Sequence, residues 1–312
     1  MDKITYTGKT DPGRVRDNNE DAFIVQNVWD ENHILGVAID GVGGYDGGER
    51  AAEITQEAIV AYLEKYSNGE RIDLLKQAVV DANNQIVAEC DTNRRFSNMG
   101  CVLTACLVES EKKRINMVHV GDTRLYQFRH NELIKLSHDH SLVGYREEIG
   151  NLTEEQAMNH PQRNLINRMM GERKHQADDS DFLETDIFPL LPNVILLLCS
   201  DGLSDMLTSA EIKSVLRQDI PLEEKARKLI DFANDKGGKD NITVVLIECP
   251  GNEPEPNNEE PESEPVNHIL GEEISDDTLP EKQPAIVDLP ENNRQPIKTR
   301  LLRFFGFGRT PK

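Results

Sequence analysis

The order of apolar patterns along the sequence predicts an α+β fold in which antiparallel sheets are covered by helices. Over residues 1–250, pairs of short apolar runs are followed by pairs of longer segments with helical spacing. Polar turns join the strand-like runs. Strand pairs followed by helix pairs are typical of antiparallel sheets with helices on the outside.

The first half of this region is interpreted as two strands, two helices and a strand meander. Apolar runs predict paired strands over residues 22–28 and 34–39. Apolar residues recur at helical spacing over residues 48–66 and 72–90, which predicts two helices. Four further strands, joined by polar turns as a meander, are predicted over residues 102–108, 115–120, 124–128 and 133–136.

The second half begins with a polar, irregular segment at residues 144–180. Beyond it the same criteria predict two strands, two helices and a final strand. These elements cover residues 182–188, 194–199, 209–217, 222–235 and 242–248.

Composition narrows the function classes. A hydrophobic content of 37% is enough for a sizeable core, and the formal net charge of −21 argues against a nucleic-acid binder, because a polyanion would be repelled. The same charge disfavours anionic substrates. Any phosphate site in this chain must therefore bring its own cations, which is a mild argument for metals.

The cysteine pattern and the N-terminal sequence favour the cytoplasm. The five cysteines have no metal-ligand spacing, and Cys101, Cys106 and Cys199 lie among apolar residues, where cysteine is usually a small buried hydrophobe. An odd number without a pattern fits a reducing compartment. The first residues have no apolar signal region, and no apolar run approaches the ~18 residues that a membrane span needs.

The composition changes abruptly after residue 250. Residues 251–293 are rich in Glu, Pro, Asn and Asp without periodicity, which predicts an acidic disordered linker. Residues 294–312 carry six Lys and Arg side chains among Leu and Phe, with no acid. This basic and aromatic tail is either an unstructured terminus or a short anchor for an anionic membrane surface or a partner groove.

Acidic turns lie at the ends of the predicted strands. Asp40-Gly41 and Asp201-Gly202 directly follow apolar runs, and Asp240-Asn241 directly precedes one. Mg²⁺ and Mn²⁺ take oxygen ligands, so acids at strand ends are typical of a hard-cation site. Each turn alone is weak support, because Asp-Gly is a common structural turn.

Together these turns and their neighbours resemble the PPM family of metal-dependent Ser/Thr protein phosphatases, in its bacterial form. The resemblance covers about residues 1–248 and implies a four-layer α-β-β-α sandwich of two antiparallel sheets, with the metals at one end. The matching motifs, in the family's order, are Arg16-Asp17-Asn18-Asn19-Glu20-Asp21, Asp40-Gly41-Val42-Gly43-Gly44, Met99-Gly100, Gly121-Asp122-Thr123-Arg124, Asp139-His140-Ser141, His160-Pro161-Gln162-Arg163-Asn164, Ser200-Asp201-Gly202-Leu203-Ser204-Asp205 and Asp240-Asn241-Ile242-Thr243.

The resemblance implies a centre of two Mn²⁺ or Mg²⁺ ions. Asp40 would bridge both ions, and Asp201 and Asp240 would complete the ligands of one of them. Glu20 and the backbone carbonyl of Gly41 would bind the other. Two such ions activate water for attack on phosphorus.

Further roles follow from the same resemblance. Arg16 matches the family's phosphate clamp, and its planar guanidinium can hold two phosphate oxygens. With Asp40 and Asp201, Arg16 makes up the expected catalytic set. Asp122, together with Asp201 and Asp205, matches a third, weaker metal site of bacterial relatives.

Several nearby polar residues have supporting interpretations. Asp21 is either an acid that orients metal-bound water or a plain turn acid, and the former is favoured. Asn241 is expected to position the Asp240 loop. Arg124, after a Gly-Asp-Thr turn, is expected to form a structural ion pair.

The histidines are assigned to structure. His140 lies between Asp139 and Ser141, but a catalytic triad requires convergence in space, not adjacency in sequence. His160 and His175, in the polar segment, are expected to be surface groups and not ligands.

The chain departs from the family pattern at two places in its core. Val42 stands where many eukaryotic relatives carry a histidine proposed as general acid, so the source of the leaving-group proton is left open. Met99-Gly100-Cys101-Val102 replaces the usual pair of threonines after the glycine. That change falls on a strand and not on a ligand.

The resemblance implies hydrolysis of phosphoserine and phosphothreonine in proteins, opposing a bacterial Ser/Thr kinase. Residues 144–180 correspond to the family's flap, beside the site. Two alternatives are weighed: a catalytically inactive scaffold that binds phosphoproteins, and a phosphatase dedicated to one small regulator such as an anti-sigma-factor antagonist. The full set of carboxylates counts against the first, and Arg16 counts against the second.

Overall fold

Two five-stranded antiparallel sheets lie face to face in the computed structural model, which describes residues 3–43 and 47–251. The strands in chain order are β1 (Thr5–Asp11), β2 (Asp21–Asn27), β3 (His33–Val42), β4 (Gly100–Glu109), β5 (Arg114–Val120), β6 (Arg124–Arg129), β7 (Glu132–Lys135), β8 (Glu184–Pro189), β9 (Val194–Cys199) and β10 (Ile242–Cys249). One sheet has the order β1-β10-β9-β6-β7 and the other β2-β3-β4-β5-β8.

Helices cover the outer face of each sheet, and two short helices lie apart from these layers. They are α1 (Gly47–Lys65), α2 (Arg71–Thr92), α3 (Leu142–Glu148), α4 (Glu154–Met158), α5 (Asp201–Ser204), α6 (Ser209–Leu216) and α7 (Leu222–Asp235), with a short 3₁₀ turn at Arg94–Phe96. Helices α1 and α2 pack on the sheet that contains β3, and α5, α6 and α7 pack on the sheet that contains β9, whereas the short helices α3 and α4 lie apart from these layers. The predicted α+β sandwich of four layers is confirmed.

The central strands are apolar on both faces because each sheet is covered on both sides. In β9, Ile195 and Leu197 face the helices, whereas Leu196 and Leu198 face the opposite sheet. Successive strand residues point to opposite faces, so this double burial needs an uninterrupted apolar run. That run allowed the bounds of β9 to be predicted from the sequence.

The helix bounds have local causes. Thr208 caps α6: its hydroxyl accepts from the backbone of Glu211, whose side chain accepts in return from the backbone of Thr208. Helix α7 begins after Pro221 and buries Ala226, Leu229 and Ala233 at helical spacing. Its predicted range of 222–235 is confirmed.

The predicted strand meander is wrong. Strands β4 and β5 pair in one sheet, whereas β6 and β7 pair in the other, next to β9. The chain crosses between the sheets at the turn of Gly121, Asp122 and Thr123. Gly121 has φ +108°, a left-handed conformation that favours glycine, which lets the chain leave the first sheet sharply.

Two further features differ from the sequence interpretation. Strand β1 was not predicted, because its sequence, TYTGKTD, is mostly polar, yet it forms an edge strand paired with β10. The segment 144–180, expected to be irregular, contains α4 and most of α3. Thr153 starts α4 with a capping box that involves Gln156.

The predicted linker beyond Gly251, the predicted tail at 294–312 and Gly44 lie outside the described residues. In the part of the chain that is described, no helix has the length and apolar character to cross a membrane.

Candidate metal centre

The acids singled out from the sequence meet at one end of the sandwich. Asp40 lies near the end of β3, opposite Asp21 at the start of β2. Asp201 begins α5, two residues after β9, and Asp240 lies two residues before β10. Because β9 and β10 are antiparallel neighbours, the end of one and the start of the other share an edge.

Asp21 and Asp40 form a like-charged pair across two strands. They are directly opposite each other in the register of β2 and β3. Side chains opposite each other project from the same face, and like charges in that position destabilise a sheet. Such a pair is favourable where a cation binds between the two carboxylates.

Burial and mutual repulsion disfavour the ionised forms of these acids. Burial, then the charges of Asp21 and Asp201, raises the pKa of Asp40 well above its usual value. Burial raises the pKa of Asp21 to about 7, although a hydrogen bond from Ser200 acts in the opposite direction. The pKa of Asp201 is also raised well above its usual value, by burial and then by Asp122. This excess of buried negative charge suits divalent cations.

Two polar side chains join the loops that carry the acids. Ser200 donates to the Asp21 carboxylate (2.7 Å) and accepts from the backbone of Thr243 (2.9 Å). Asn241 accepts from the backbone N–H of Glu20 (2.8 Å). Its amide also donates to the carbonyls of Pro12 (3.0 Å) and Asn18 (2.8 Å). Asn241 thus links its own loop to the segment before β2.

Gly41 lies where three backbone segments meet. A Cβ atom at this position would come within 2.3 Å of the Gly48 carbonyl oxygen and 2.5 Å of the Glu20 carbonyl oxygen. The Gly41 N–H donates to the same Glu20 oxygen (3.1 Å). The Glu20 carboxylate is itself oriented by a hydrogen bond from Asn18 (3.1 Å). Only glycine allows this close approach of Gly41 to Glu20.

Arg16 contacts one of the acids directly. Its guanidinium donates to the Asp240 carboxylate at 2.7 Å, and its side chain is 49% exposed. The exposed side of the guanidinium keeps donors available toward solvent. The structure therefore places Arg16 at the rim of the acid cluster.

Asp122 and Asp205 lie close enough to Asp201 for their charges to raise its pKa. Burial, followed by the charges of Asp139 and Asp205, raises the pKa of Asp122 to about 7. The Asp205 carboxylate accepts a hydrogen bond from Arg163 in the flap. Asp122, Asp201 and Asp205 line a common cavity of about 20 Å³.

Arg124 forms the structural ion pairs that were expected of it. It binds Asp139 (2.6 Å) and Glu147 (3.2 Å) and donates to the Tyr126 hydroxyl (3.1 Å). Ser141 is the N-cap of α3. Asp139, His140 and Ser141 therefore do not form a triad, as predicted.

The two flap histidines differ from each other. His160 lies at the surface side of the flap, where its Nδ1 accepts from the backbone of Gln162 (3.1 Å). His175 was expected at the surface, which is wrong: it is buried, stacks on Phe182 with ring centroids 3.8 Å apart and bonds Asp179. Because the residues around His175 are polar, its stacking on Phe182 could not be predicted from the sequence.

The fit of the acids to cations rests on their chemistry. All of them offer oxygen ligands, which Mg²⁺ and Mn²⁺ prefer. Among the described residues, a separate group of possible ligands, His119, His140 and Glu184, has donor atoms within 4.8 Å of one another.

Sequence reasoning missed the roles of Ser200 and Arg163. Both lie inside motifs that had been identified, directly before Asp201 and within residues 160–164. Their partners are distant in sequence, since Ser200 binds Asp21 and Arg163 binds Asp205. Only the folded chain brings these pairs together.

Several known proteins have sequences similar to that of this chain. The profile of the family described as Protein phosphatase 2C matches residues 14–246. The Serine/threonine phosphatase stp of Listeria welshimeri is 36% identical over 245 residues, which cover 77% of this chain and 94% of that protein. Protein phosphatase PhpP of Streptococcus pneumoniae is 32% identical over 246 residues, covering 76% and 94%.

Solved structures share the fold. The serine/threonine phosphatase PstP/Ppp of Mycobacterium tuberculosis has a TM-score of 0.70 at 31% identity, covering 80% of this chain and 99% of that one. A structure of the PstP catalytic domain in complex with two manganese ions has a TM-score of 0.67 at 30% identity, covering 78% and 97%. With a profile match over most of its length, this chain belongs to the protein phosphatase 2C family, the PPM type that its motifs resemble.

Proposed function

We propose that this chain hydrolyses phosphoserine and phosphothreonine in proteins with the help of two Mn²⁺ or Mg²⁺ ions. The observation that carries the proposal is the pair of Asp21, which is buried, and Asp40, which is half-buried, directly opposite each other on neighbouring strands. The charges of Asp201 and Asp240 add to the same cluster. The relatives named as Ser/Thr phosphatases supply the reaction class.

Five groups would hold the two ions. Asp40 would contact both, Asp201 and Asp240 would bind one, and Glu20 with the Gly41 carbonyl would bind the other. Bound divalent cations lower the pKa of water and neutralise charge on a phosphoryl group. Asp122 and Asp205 would contribute to a third, weaker site beside Asp201.

The protein's own side chains bind and orient the substrate. Arg16 would hold two phosphate oxygens at the rim, next to Asp240. Asp21, fixed by the Ser200 hydroxyl, would orient water that approaches the phosphate. Val42, the last residue of β3, has no proton to donate, so the leaving serine or threonine oxygen takes its proton from another source.

The two alternative functions are less well supported. In a scaffold that binds no cation, the carboxylates of Asp21 and Asp40 would repel each other and destabilise the sheet, whereas a bound cation would offset that repulsion. A phosphatase for one small regulator would not need the phosphate clamp that Arg16 matches. The Arg16–Asp240 contact at the edge of the acids supports the broader protein phosphatase.

Three finer points belong to this proposal. The functional counterpart is a Ser/Thr kinase, because a phosphatase of this class removes what such a kinase adds. The protein works in the cytoplasm, and its five unpaired cysteines are consistent with a reducing compartment. The basic residues 294–312 contact either an anionic membrane surface or a partner protein. Equal sedimentation with anionic liposomes with and without residues 294–312 would remove the membrane part.

The first test is hydrolysis of a phosphothreonine peptide by the purified full chain. We expect turnover with Mn²⁺ or Mg²⁺, none with EDTA, and a loss of about 10³-fold or more in Asp201→Asn, because the amide cannot neutralise an ion as a carboxylate does. The matched control is Asp219→Asn, an exposed acid with the same chemical change. Folded protein without turnover in either ion would support the scaffold instead.

A further inference from the structure

A cluster of histidines lies beside the acids but outside the proposed two-ion centre. His119, His140 and Glu184 each offer one possible ligand atom, and these atoms lie within 4.8 Å of one another. His119 is the next-to-last residue of β5, and Glu184 is opposite it in the first position of β8. The spacing alone would fit a metal ion, so the hydrogen bonds of each ring decide its role.

Both ring nitrogens of His119 already form hydrogen bonds within the protein. Its Nε2 lies 3.1 Å from the Gly121 carbonyl and 3.0 Å from the His138 carbonyl, both of which only accept. Nε2 must therefore carry the proton and cannot bind a cation. Its Nδ1, 2.8 Å from the Thr104 hydroxyl, then accepts. Burial lowers the pKa of His119 to about 4, in keeping with a neutral ring.

His140 holds Gly121 from both sides. The Gly121 N–H donates to the His140 Nδ1 (3.1 Å), and the His140 N–H donates to the Gly121 carbonyl (2.6 Å). A ring nitrogen that accepts from an N–H is unprotonated, so the proton of a neutral His140 is on Nε2. Nε2 lies 3.6 Å from the Glu184 carboxylate. Glu184 thus favours the tautomer that Gly121 requires.

The same network fixes the residue after Asp122. The Thr123 hydroxyl is 2.8 Å from the Thr104 hydroxyl, which lies 2.8 Å from the His119 Nδ1. Since Nδ1 accepts, Thr104 donates to it and receives its own hydrogen bond from Thr123. Asp122 is therefore bracketed by Gly121 and Thr123, which are anchored through the half-buried ring of His140 and the buried ring of His119.

The turn cannot hold its shape by side-chain packing at Gly121. A Cβ atom there would lie 2.2 Å from the Val102 side chain, and the φ of +108° is strained for any other residue. Glycine is also the most flexible residue, so its conformation must be imposed from outside. In this structure the imposing contacts come from His140 and His119.

We propose that His140 is a positioning residue, which fixes the Gly121 turn and thereby directs the Asp122 carboxylate toward the weaker cation site beside Asp201. The proposal rests on the proposed function only for the identity of that site. His140 itself contacts neither cation nor substrate. Its acceptor nitrogen Nδ1 is the atom that does the positioning, and Glu184 orients the ring.

Paired substitutions at His140 separate the two ring nitrogens. In His140→Asn the amide oxygen takes the place of Nδ1, so it can still accept from Gly121. In His140→Gln the amide reaches the place of Nε2, and nothing accepts at Nδ1. We expect Mn²⁺ binding at the weakest site, measured by calorimetry without substrate, to fall at least about 10-fold in the Gln variant. It should stay within about 3-fold of wild type in the Asn variant.

The calorimetry needs two reference variants. Asp122→Asn should remove the weakest binding event, which identifies it. His138→Asn makes the same chemical change at an exposed histidine that bonds Glu184 but not Gly121, and it should leave Mn²⁺ binding unchanged. Since no substrate is present, failure of the phosphatase proposal leaves this result interpretable.

A second measurement does not require a variant to fold. Side-chain nitrogen NMR of metal-free wild-type protein should show His140 with Nδ1 unprotonated and Nε2 protonated. Three results would overturn the proposal. The first is the opposite tautomer of His140, and the second is equal Mn²⁺ binding in the Asn and Gln variants. The third is Mn²⁺ binding in Asp122→Asn that equals that of wild type.

Discussion

The carboxyl group of Asp40 follows a run of fully buried residues and lies opposite another carboxyl group. A charge in such surroundings costs free energy, because burial removes its water and Asp21 repels it. The protein tolerates this arrangement because the same field attracts divalent cations. Activity and stability therefore make opposite demands on this position.

Replacing Asp40 by asparagine should separate those demands. Asp40→Asn is expected to abolish measurable phosphatase activity, since it removes the ligand shared by both ions. In EDTA its melting temperature should rise by at least ~2 °C, because relief of ~1 kcal/mol of repulsion has that effect in a domain of this size. The measurement is thermal unfolding with EDTA and with Mn²⁺.

The stabilisation that we expect Mn²⁺ to give the wild type should be lost in the same variant. Asp219→Asn, which changes an exposed acid, should behave like wild type in both conditions. A lower melting temperature of Asp40→Asn in EDTA would contradict the repulsion argument.

The acids lie at the ends of strands, at the start of α5 and in the turn before β10, and the side-chain amide of Asn241 holds two of these segments together. Asn241 connects the turn before β10 to the segment before β2 through one accepted and two donated hydrogen bonds. An amide is suited to this place because it can do both. A carboxylate of the same shape can only accept.

Asn241→Asp should therefore destabilise the protein although it barely changes volume. Two partly buried carbonyls would face an oxygen in place of an N–H₂ group, and we expect a loss of ~1–3 kcal/mol from the two lost hydrogen bonds. Urea unfolding in EDTA measures it. Asn151→Asp, at an exposed position, is the matched control and should change stability by less than ~0.5 kcal/mol.

Helix α2 anchors the far end of the flap. Asn83, fully buried, accepts from the Gly171 N–H and donates to the Arg173 carbonyl, both at 2.9 Å. Asn84 binds the backbone N–H and carbonyl of His175 in the same way. These two side chains link a regular element to an irregular one.

Loss of the Asn83 side chain should loosen the flap selectively. In Asn83→Ala we expect amide hydrogen exchange of residues 171–175 to increase at least about 10-fold, because two hydrogen bonds of ~1 kcal/mol each are lost. Exchange in β9 should change far less. Gln85→Ala on the exposed face of α2 is the control, and an equal effect in both variants would argue against a local anchor.

Strongly periodic elements were predictable from the sequence, and non-local pairings were not. The bounds of β9 and α7 follow from apolar spacing that any observer of the sequence can count. Strand β1 is polar, and its place is set by β10, more than 200 residues later. The separation of β5 and β6 into different sheets has no local signal apart from Gly121, which also serves ordinary turns.

The candidate site likewise contains residues that the sequence could predict and residues that it could not. Acids such as Asp40 and Asp201 stand out because each follows an apolar run. The partners that hold them, including Ser200, Arg163 and the His140 ring, are ordinary polar residues in sequence. Their roles come from pairs that only the fold brings together.

The assembled acids make the stability of the whole domain depend on pH. The pKa values of Asp21 and Asp122 are raised from 3.8 to about 7, so the folded protein holds protons that the unfolded chain has released in that interval. Stability is then greatest below the unfolded pKa, falls as pH rises through the interval, and stays reduced above it.

In EDTA, the melting temperature should fall by several degrees between about pH 6 and about pH 8. Asp21→Asn should reduce that fall, because one titrating group is removed. Saturating Mn²⁺ should abolish it, since bound cations keep the acids ionised in the folded state. A melting temperature in EDTA that rises over this range would contradict the burial of these charges.

The first strand of the domain pairs with its last. Strand β1 lies against β10, and next to that seam Arg16 touches Asp240 while Asn241 binds the segment before β2. A ribosome releases the chain from its N-terminus onward, so Glu20 and Asp40 emerge long before Asp240. Until β10 leaves the exit tunnel, the edge of β9 that pairs with β10 is free, and the cation site lacks Asp240. Full metal affinity would thus arise only after β10 has emerged, and a nascent chain stalled before residue 242 would be unable to act as a phosphatase.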